Sequence, residues 1–170
     1  SNYTFLTGAS HPEEFVLQAG LLGYRAISLT DTHTLAGVVR AHVEARNLRQ
    51  SHNAKLQFVL ESRVRLMDVP ACSIFLYPAA MDSYRRLCRL LTLGKRRAPK
   101  GECRLFLDDL KAHCDGMLGI LADDGGLGPE FQSAAELLLP LFDDDRLSLA
   151  AAFAYCADDQ ARLERASVSR

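Results

Sequence analysis

Apolar residues follow two different periods along the chain. Residues 26–29 form a short continuous apolar run, which is typical of a buried strand. Residues 34–48 instead place apolar side chains at every third or fourth position, which is typical of one face of a helix. That face carries Val38, Ala41 (or His42), Ala45 and Leu48.

The same two patterns continue to the end of the chain. They predict strands at 25–30, 55–67, 72–77, 116–122 and 147–153, with the second and third forming a hairpin or two adjacent strands. They predict helices at 11–22, 34–48, 80–93, 105–113, 131–142 and 157–167, and loops at 94–102 and 125–129. Because strands alternate with helices, we predict an α/β fold with a largely parallel sheet that right-handed crossovers roll toward a barrel.

Short polar signals set the ends of the first elements. Ser10 is a candidate cap for the helix at 11–22, and Thr34 is a candidate cap for the next helix. Thr30 and Asp31 stop the apolar strand before that second helix begins. In α/β folds with parallel strands, the rim at which strands end is where binding and catalytic groups lie. Asp31 is therefore a candidate functional residue.

Composition describes one ordinary globular domain. The chain has 170 residues, of which 48% are hydrophobic, and its formal net charge is −1. No global field therefore favours nucleic acid or an acidic membrane surface. The five cysteines are scattered without a C-x-x-C pair, so we expect reduced thiols in a cytoplasmic protein. No apolar run reaches the roughly 20 residues that a membrane span needs.

The charge is nevertheless unevenly distributed. Residues 85–104 contain eight basic residues and one acid, whereas residues 121–170 contain ten acids and four arginines. The candidate phosphate or nucleic-acid contacts are Arg85, Arg86 and Arg89 on the predicted helix and Lys95, Arg96, Arg97 and Lys100 on the predicted loop. The alternative is a solvated face, or one that pairs with the acidic half of the chain. Few aromatic residues interleave with these charges, which argues against a single-strand stacking platform.

Four stretches together resemble a known family. TDTHTLAG at 30–37 resembles the second motif of the PHP (polymerase and histidinol phosphatase) domain. SNYTFLTGAS at 1–10 resembles the end of its first motif, and FVLESRVRL at 58–66 resembles its third. YRRLCRLLTLGKRRAPKGE at 84–102 resembles the segment that follows in bacterial C-family DNA polymerases, most closely the error-prone, alpha-type members. The order and spacing of the four stretches carry the resemblance, which covers nearly the whole chain.

The resemblance implies a fold and a site. The fold is a distorted, seven-stranded (β/α) barrel of PHP type, incomplete within residues 1–170, with both ends of the chain cut. The site is a cluster of metal ions, in which Asp31 and Glu61 match two ligand positions of the family. Thr32 stands where the family has a histidine, His33 follows one residue late, and the paired histidines of the first motif and the later motifs are absent. Without the resemblance, Asp31 and His33 are ordinary loop residues and Glu61 is a partner for a nearby cation such as Arg63.

The resemblance also implies a function. We expect the amino-terminal part of a translesion DNA polymerase that acts in replication and repair, with the polymerase domains of the same chain as partners and DNA reached through them. The segment itself would be a scaffold with a degenerate, weak site for a divalent metal (Zn, Mn or Mg), without polymerase activity or membrane contact. Two alternatives are a metal-dependent phosphoesterase or 3′–5′ exonuclease and a non-catalytic interaction module.

Overall fold

The computed structural model describes residues 1–4, 7–52, 55–123, 128–142, 145–150, 160 and 164. Within them the helices are α1 (Pro12–Leu21), α2 (Val38–His52), α3 (Met81–Arg97), α4 (Leu107–His113) and α5 (Pro129–Leu138), followed by a 3-10 turn at Leu139–Leu141. The strands are β1 (Ala26–Ser28), β2 (Gln57–Val59), β3 (Ser62–Arg65), β4 (Cys72–Pro78), β5 (Met117–Asp123) and β6 (Leu147–Ala150). The alternation of helices and strands confirms the α/β class.

The chain divides into two compact units, Ser1–Arg63 and Val64–Arg170, with the division falling inside β3. In the first unit, β1 and β2 pair in parallel from Ala26 opposite Gln57 to Ser28 opposite Val59. Helices α1 and α2 supply most of the buried apolar side chains of this unit. These are Val16, Ala19, Leu29, Ala41, Ala45, Leu48 and Leu56. The predicted apolar face of the second helix is therefore confirmed at Ala41, Ala45 and Leu48, whereas His42 is exposed.

The second unit contains a four-stranded sheet in the order β3-β4-β5-β6. Strands β4 and β5 are antiparallel, from Cys72 opposite Asp123 to Pro78 opposite Met117, whereas β5 and β6 are parallel. The sheet is therefore mixed rather than largely parallel. The buried side chains of this unit include Ile74 and Leu76 from β4, Leu87 and Leu90 from α3 and Leu110 from α4.

Several predicted boundaries are wrong. The single strand at 55–67 is two strands, β2 and β3, which belong to different sheets. Helix α2 begins at Val38, and the Thr34 hydroxyl accepts the Ala36 N–H at 3.1 Å ahead of the helix instead of capping it. At α1 the cap position is His11, not Ser10, and the Glu14 carboxylate accepts the His11 N–H at 2.6 Å.

Helix α3 also runs past its predicted end at residue 93. It continues to Arg97 because Gly94 is buried inside it and packs tightly against the segment that follows. A Cβ at Gly94 would lie 2.6 Å from the Cys103 Sγ, and the Arg104 N–H donates to the Gly94 carbonyl at 3.1 Å. This glycine is therefore a packing residue and not a helix terminator.

The end of the chain is described only in part. The strand predicted at 147–153 is present as β6 over Leu147–Ala150, and positions 151–153 lie outside the described residues. The predicted helix at 157–167 also lies outside them, apart from residues 160 and 164, which are helical. The four cysteines in the described part, Cys72, Cys88, Cys103 and Cys114, are reduced thiols and not disulfides.

Candidate functional site

Asp31 lies just beyond the end of β1, as the polar stop after the apolar run predicts. Its side chain is nevertheless buried, with 3% of the residue exposed. The Ser1 ammonium donates to its Oδ1 at 2.6 Å, the Ser1 hydroxyl donates to its Oδ2 at 2.6 Å, and the Thr4 hydroxyl donates to Oδ1 at 2.8 Å. The carboxylate is therefore the centre of a polar cluster that joins the first residues of the chain to the end of β1.

The cluster extends through Thr4 and is closed by Gly37. The Thr4 hydroxyl accepts the Thr32 N–H at 3.0 Å while it donates to Asp31, so it fixes two successive residues. A Cβ at Gly37 would lie 3.3 Å from the Asp31 Oδ2 and 3.0 Å from the Pro12 Cγ. The glycine of the TDTHTLAG stretch therefore leaves the space that the carboxylate and α1 occupy.

The electrostatics of Asp31 follow from these contacts. Burial by itself would raise its pKa, because a charged carboxylate loses hydration. The hydrogen bonds from the Ser1 ammonium, the Ser1 hydroxyl and Thr4 outweigh burial, and the pKa of Asp31 lies below its ordinary value. Asp31 is therefore ionised at neutral pH.

Glu61 is also buried, with 1% of the residue exposed. Thr32 forms a parallel bridge with Arg63 in the register of the β1–β2 pairing, so Asp31 stands opposite Ser62 and Glu61 stands opposite Thr30. The Asp31 carbonyl accepts the Arg63 N–H at 3.1 Å and the Ser62 hydroxyl at 3.2 Å. The fold thus brings the two acidic residues to neighbouring strand ends, one residue out of register. In regular strands such an offset sends two side chains to opposite faces.

His33 has a left-handed backbone, with a φ of 56°. Its N–H donates to the Arg63 carbonyl at 2.8 Å, which holds this turn against the beginning of β3. Histidine tolerates this region of backbone conformation better than most residues. At the preceding position Thr32 offers a hydroxyl where the resemblance places an imidazole.

The donor set does not fit the metal cluster that the resemblance implies. Among the residues that the structure describes, no group of three His, Cys, Asp or Glu side chains could hold a metal ion. A carboxylate offers about four acceptor positions, and Asp31 uses three of them for Ser1 and Thr4. An ion at Asp31 would therefore compete with the Ser1 and Thr4 hydroxyls for the carboxylate.

The seven basic residues that are candidate phosphate contacts fall into two groups. The first group forms ion pairs: Arg85 with Asp82, Arg86 with Asp115, and Arg97 with Asp109. Arg97 donates to both oxygens of Asp109 at 2.5 and 3.0 Å and lies over the Phe106 ring at 5.2 Å. This pairing lowers the pKa of Asp109 and raises that of Arg97.

The second group consists of Arg89, Lys95, Arg96 and Lys100, which are exposed. In the part of the chain that the structure describes, no acidic side chain forms an ion pair with these four. Because α3 runs to Arg97, Lys95, Arg96 and Arg97 lie on the helix and not on the predicted loop, whereas Lys100 lies in the turn that follows.

Sequence reasoning missed the partners of Asp31. Ser1 and Thr4 stand 30 and 27 positions away from it, at the two ends of a turn in which the Thr4 N–H donates to the Ser1 carbonyl at 3.0 Å. The only signal was indirect, since residues 1–10 and 30–37 both matched motifs of one family.

Comparison with known proteins identifies the family of this chain. The PHP domain family matches residues 1–162, so the chain belongs to that family. Its relatives include proteins named error-prone DNA polymerase from Rhodopirellula baltica, which is 37% identical over 95% of this chain, and from Bordetella parapertussis, which is 44% identical over 76%. The chain spans only 14% and 13% of their lengths.

A solved structure shares the fold. It is a presumed metal-dependent phosphoesterase from Bifidobacterium adolescentis, with a TM-score of 0.56 at 13% sequence identity. The match covers 95% of this chain and 79% of that one. The similarity is consistent with part of a PHP-type barrel. Across the described residues, no helix has the length and apolar character needed to cross a membrane.

Proposed function

We propose that this chain is the amino-terminal PHP portion of a bacterial error-prone DNA polymerase of the polymerase III alpha type, which acts in DNA replication and repair. The support is the similarity to relatives of that name along most of the chain, together with the small fraction of their length that it spans. The partners of the segment would be the polymerase domains of the same protein, and the location would be the bacterial cytoplasm.

We further propose that the segment is a scaffold and not a metal enzyme. The observation that carries this proposal is the burial of Asp31, whose carboxylate accepts hydrogen bonds from the Ser1 and Thr4 hydroxyls. A catalytic metal centre needs several convergent ligands that are free to bind the ion. Here Asp31 instead stabilises the connection between residues 1–4 and the end of β1, so any affinity of Asp31, Glu61 and His33 for a divalent ion would be weak.

A chimera tests the parent function. The corresponding segment of the Rhodopirellula baltica polymerase would be replaced by this chain, and primer extension would be measured beside a deletion of the segment. We expect the chimera to extend primers and the deletion to be inactive, because the scaffold is needed to support the catalytic domains. An inactive but folded chimera would contradict the proposal.

Metal binding tests the scaffold role against the phosphoesterase or exonuclease alternative. Calorimetric titration with Zn²⁺ and Mn²⁺ would be combined with release of phosphate from a model phosphoester and digestion of a DNA 3′ end. We expect weak binding that differs little between the natural chain and Glu61→Gln, without hydrolysis. Stoichiometric binding of two or more ions, lost together with hydrolysis in Glu61→Gln, would overturn the scaffold role.

A further inference from the structure

One face of α3 carries a row of arginines that the fold does not use. Arg85, Arg89 and Arg96 recur at intervals of four and seven residues, so they lie along one line of the helix. The buried residues of the helix, which include Leu87, Leu90, Leu91 and Gly94, lie on the opposite side. We call these three arginines the basic row. At 1.5 Å per residue the row is about 16 Å long.

The basic row differs from its neighbours in how its charges are satisfied. Arg86 and Arg97 are held by Asp115 and Asp109. In the row, Arg85 contacts only Asp82, in a pair whose side chains are 63% and 78% exposed. Such exposed pairs are worth less than about 1 kcal/mol and exchange readily for another anion. Within the described residues, no carboxylate pairs with Arg89 or Arg96.

The chemistry of the row favours phosphate groups in a line. All three members are arginines, whose planar guanidinium groups form paired hydrogen bonds with phosphate oxygens. No aromatic side chain stands among them on the helix, so nothing in the row is suited to stack on bases. Thr92, which lies between Arg89 and Arg96, already donates its hydroxyl to the Cys88 carbonyl at 2.7 Å.

We infer that the basic row binds the phosphate backbone of duplex DNA without reading its sequence. The inference rests on the proposed function, because a segment of a DNA polymerase meets DNA whereas the row alone specifies only a linear polyanion. An acidic protein segment is the competing partner, and the experiment below separates the two.

The test is the salt dependence of DNA binding by the full chain. A short fluorescent duplex would be titrated with the chain at several salt concentrations, and binding would be followed by anisotropy. Three neutralised phosphates give a slope of about −2.7 in log K against log salt, so the affinity falls roughly forty-fold between about 50 and about 200 mM salt. We expect Arg89→Gln/Arg96→Gln to reduce the magnitude of this slope by about 2.

The matched control removes the same charge from arginines that are already paired. Arg86→Gln/Arg97→Gln alters the partners of Asp115 and Asp109, and we expect the slope to stay close to that of the natural chain. Thermal unfolding of both double variants checks that they remain folded. If both variants reduce the slope equally, the binding is a general charge effect and the inference is wrong.

Two further outcomes also overturn the inference. One is no binding to the duplex at low salt, and the other is stronger binding to a polyglutamate peptide than to DNA at equal charge. Neither outcome depends on the chimera or on the metal titration. A functional chimera with no DNA binding by α3 would therefore contradict the inference that the basic row binds DNA, while the proposed function would stand.

Discussion

The polar cluster around Asp31 and the basic face of α3 handle charge in opposite ways. Asp31 is buried, and all its hydrogen bonds come from groups that are fixed by the fold. Arg89 and Arg96 are exposed, and no ion pair within the described residues holds them. A buried charge must have dedicated partners because losing hydration is costly. The carboxylate that resembled a catalytic ligand is therefore buried and hydrogen-bonded within the fold, whereas the surface helix keeps charges available for a partner.

Replacing Asp31 should give the largest effect. In Asp31→Ala the Ser1 and Thr4 hydroxyls lose their acceptor in a buried place, at about 1–3 kcal/mol for each donor, and we expect a loss of about 2–5 kcal/mol in the free energy of unfolding. Chemical denaturation measures it. The matched control is Asp115→Ala, which removes an exposed acid that pairs with Arg86 and should cost about 0–1 kcal/mol. Equal losses in the two variants would show that the buried cluster stabilises the fold no more than an exposed ion pair does.

Filling the space beside the carboxylate should give the next largest effect. Gly37→Ala places a Cβ against the Pro12 Cγ and the Asp31 Oδ2, so we expect a loss of about 1–3 kcal/mol from overpacking. Gly128 also directly precedes a helix, but a Cβ there meets nothing within 4 Å. Gly128→Ala should therefore cost less than about 1 kcal/mol, and a larger cost than that of Gly37→Ala would contradict the packing argument.

A smaller effect should follow from removing the Thr4 hydroxyl. Thr4→Val deletes one donor that lowers the pKa of Asp31, so that pKa should rise. Because the folded pKa lies below the unfolded one, Asp31 contributes stability above its ordinary pKa, and the contribution is lost as pH falls through the folded pKa. The variant should therefore begin to unfold in acid at a higher pH. An NMR titration of the Asp31 carboxyl carbon that shows no change would refute this.

The smallest effect is expected at the paired end of α3. Arg97→Gln removes the group that chiefly lowers the pKa of Asp109, so that pKa should rise toward its ordinary value. Asp109 would still accept the Phe106 N–H at 2.9 Å, which keeps part of the shift. Arg96→Gln is the control with the same charge change on the adjacent residue, and it should leave the pKa of Asp109 nearly unchanged. Proton titration by NMR distinguishes the two.

Local patterns were sufficient to predict much of the fold. The apolar run at 26–29 predicted β1 and its polar end, and helical spacing predicted the face of α2 formed by Ala41, Ala45 and Leu48, because burial of one side imposes those periods. The strand predicted at 55–67 failed for a tertiary reason. Its alternation continues through Leu60 and Glu61 while the chain passes from one sheet to another, and such a passage has no local signature.

The site was predictable in part. The motifs located Asp31, Glu61 and His33, and whether these bind a metal remains a prediction. The hydrogen bonds to Asp31 could not be predicted, because Ser1 and Thr4 reach it only through the folded chain. The division of the basic residues into paired and exposed groups was equally hidden, since it depends on where Asp109 and Asp115 lie after folding.

The close approach at Gly94 links the end of α3 to the segment that follows it. The Cys103 sulfur and the Leu105 side chain occupy the space that a side chain at position 94 would need, so the volumes of these three residues are complementary. Any divergent relative that acquires a methyl group at position 94 should carry smaller residues at both other positions. The turn after α3 can therefore vary in its exposed lysine and arginine residues, while these three positions must change together.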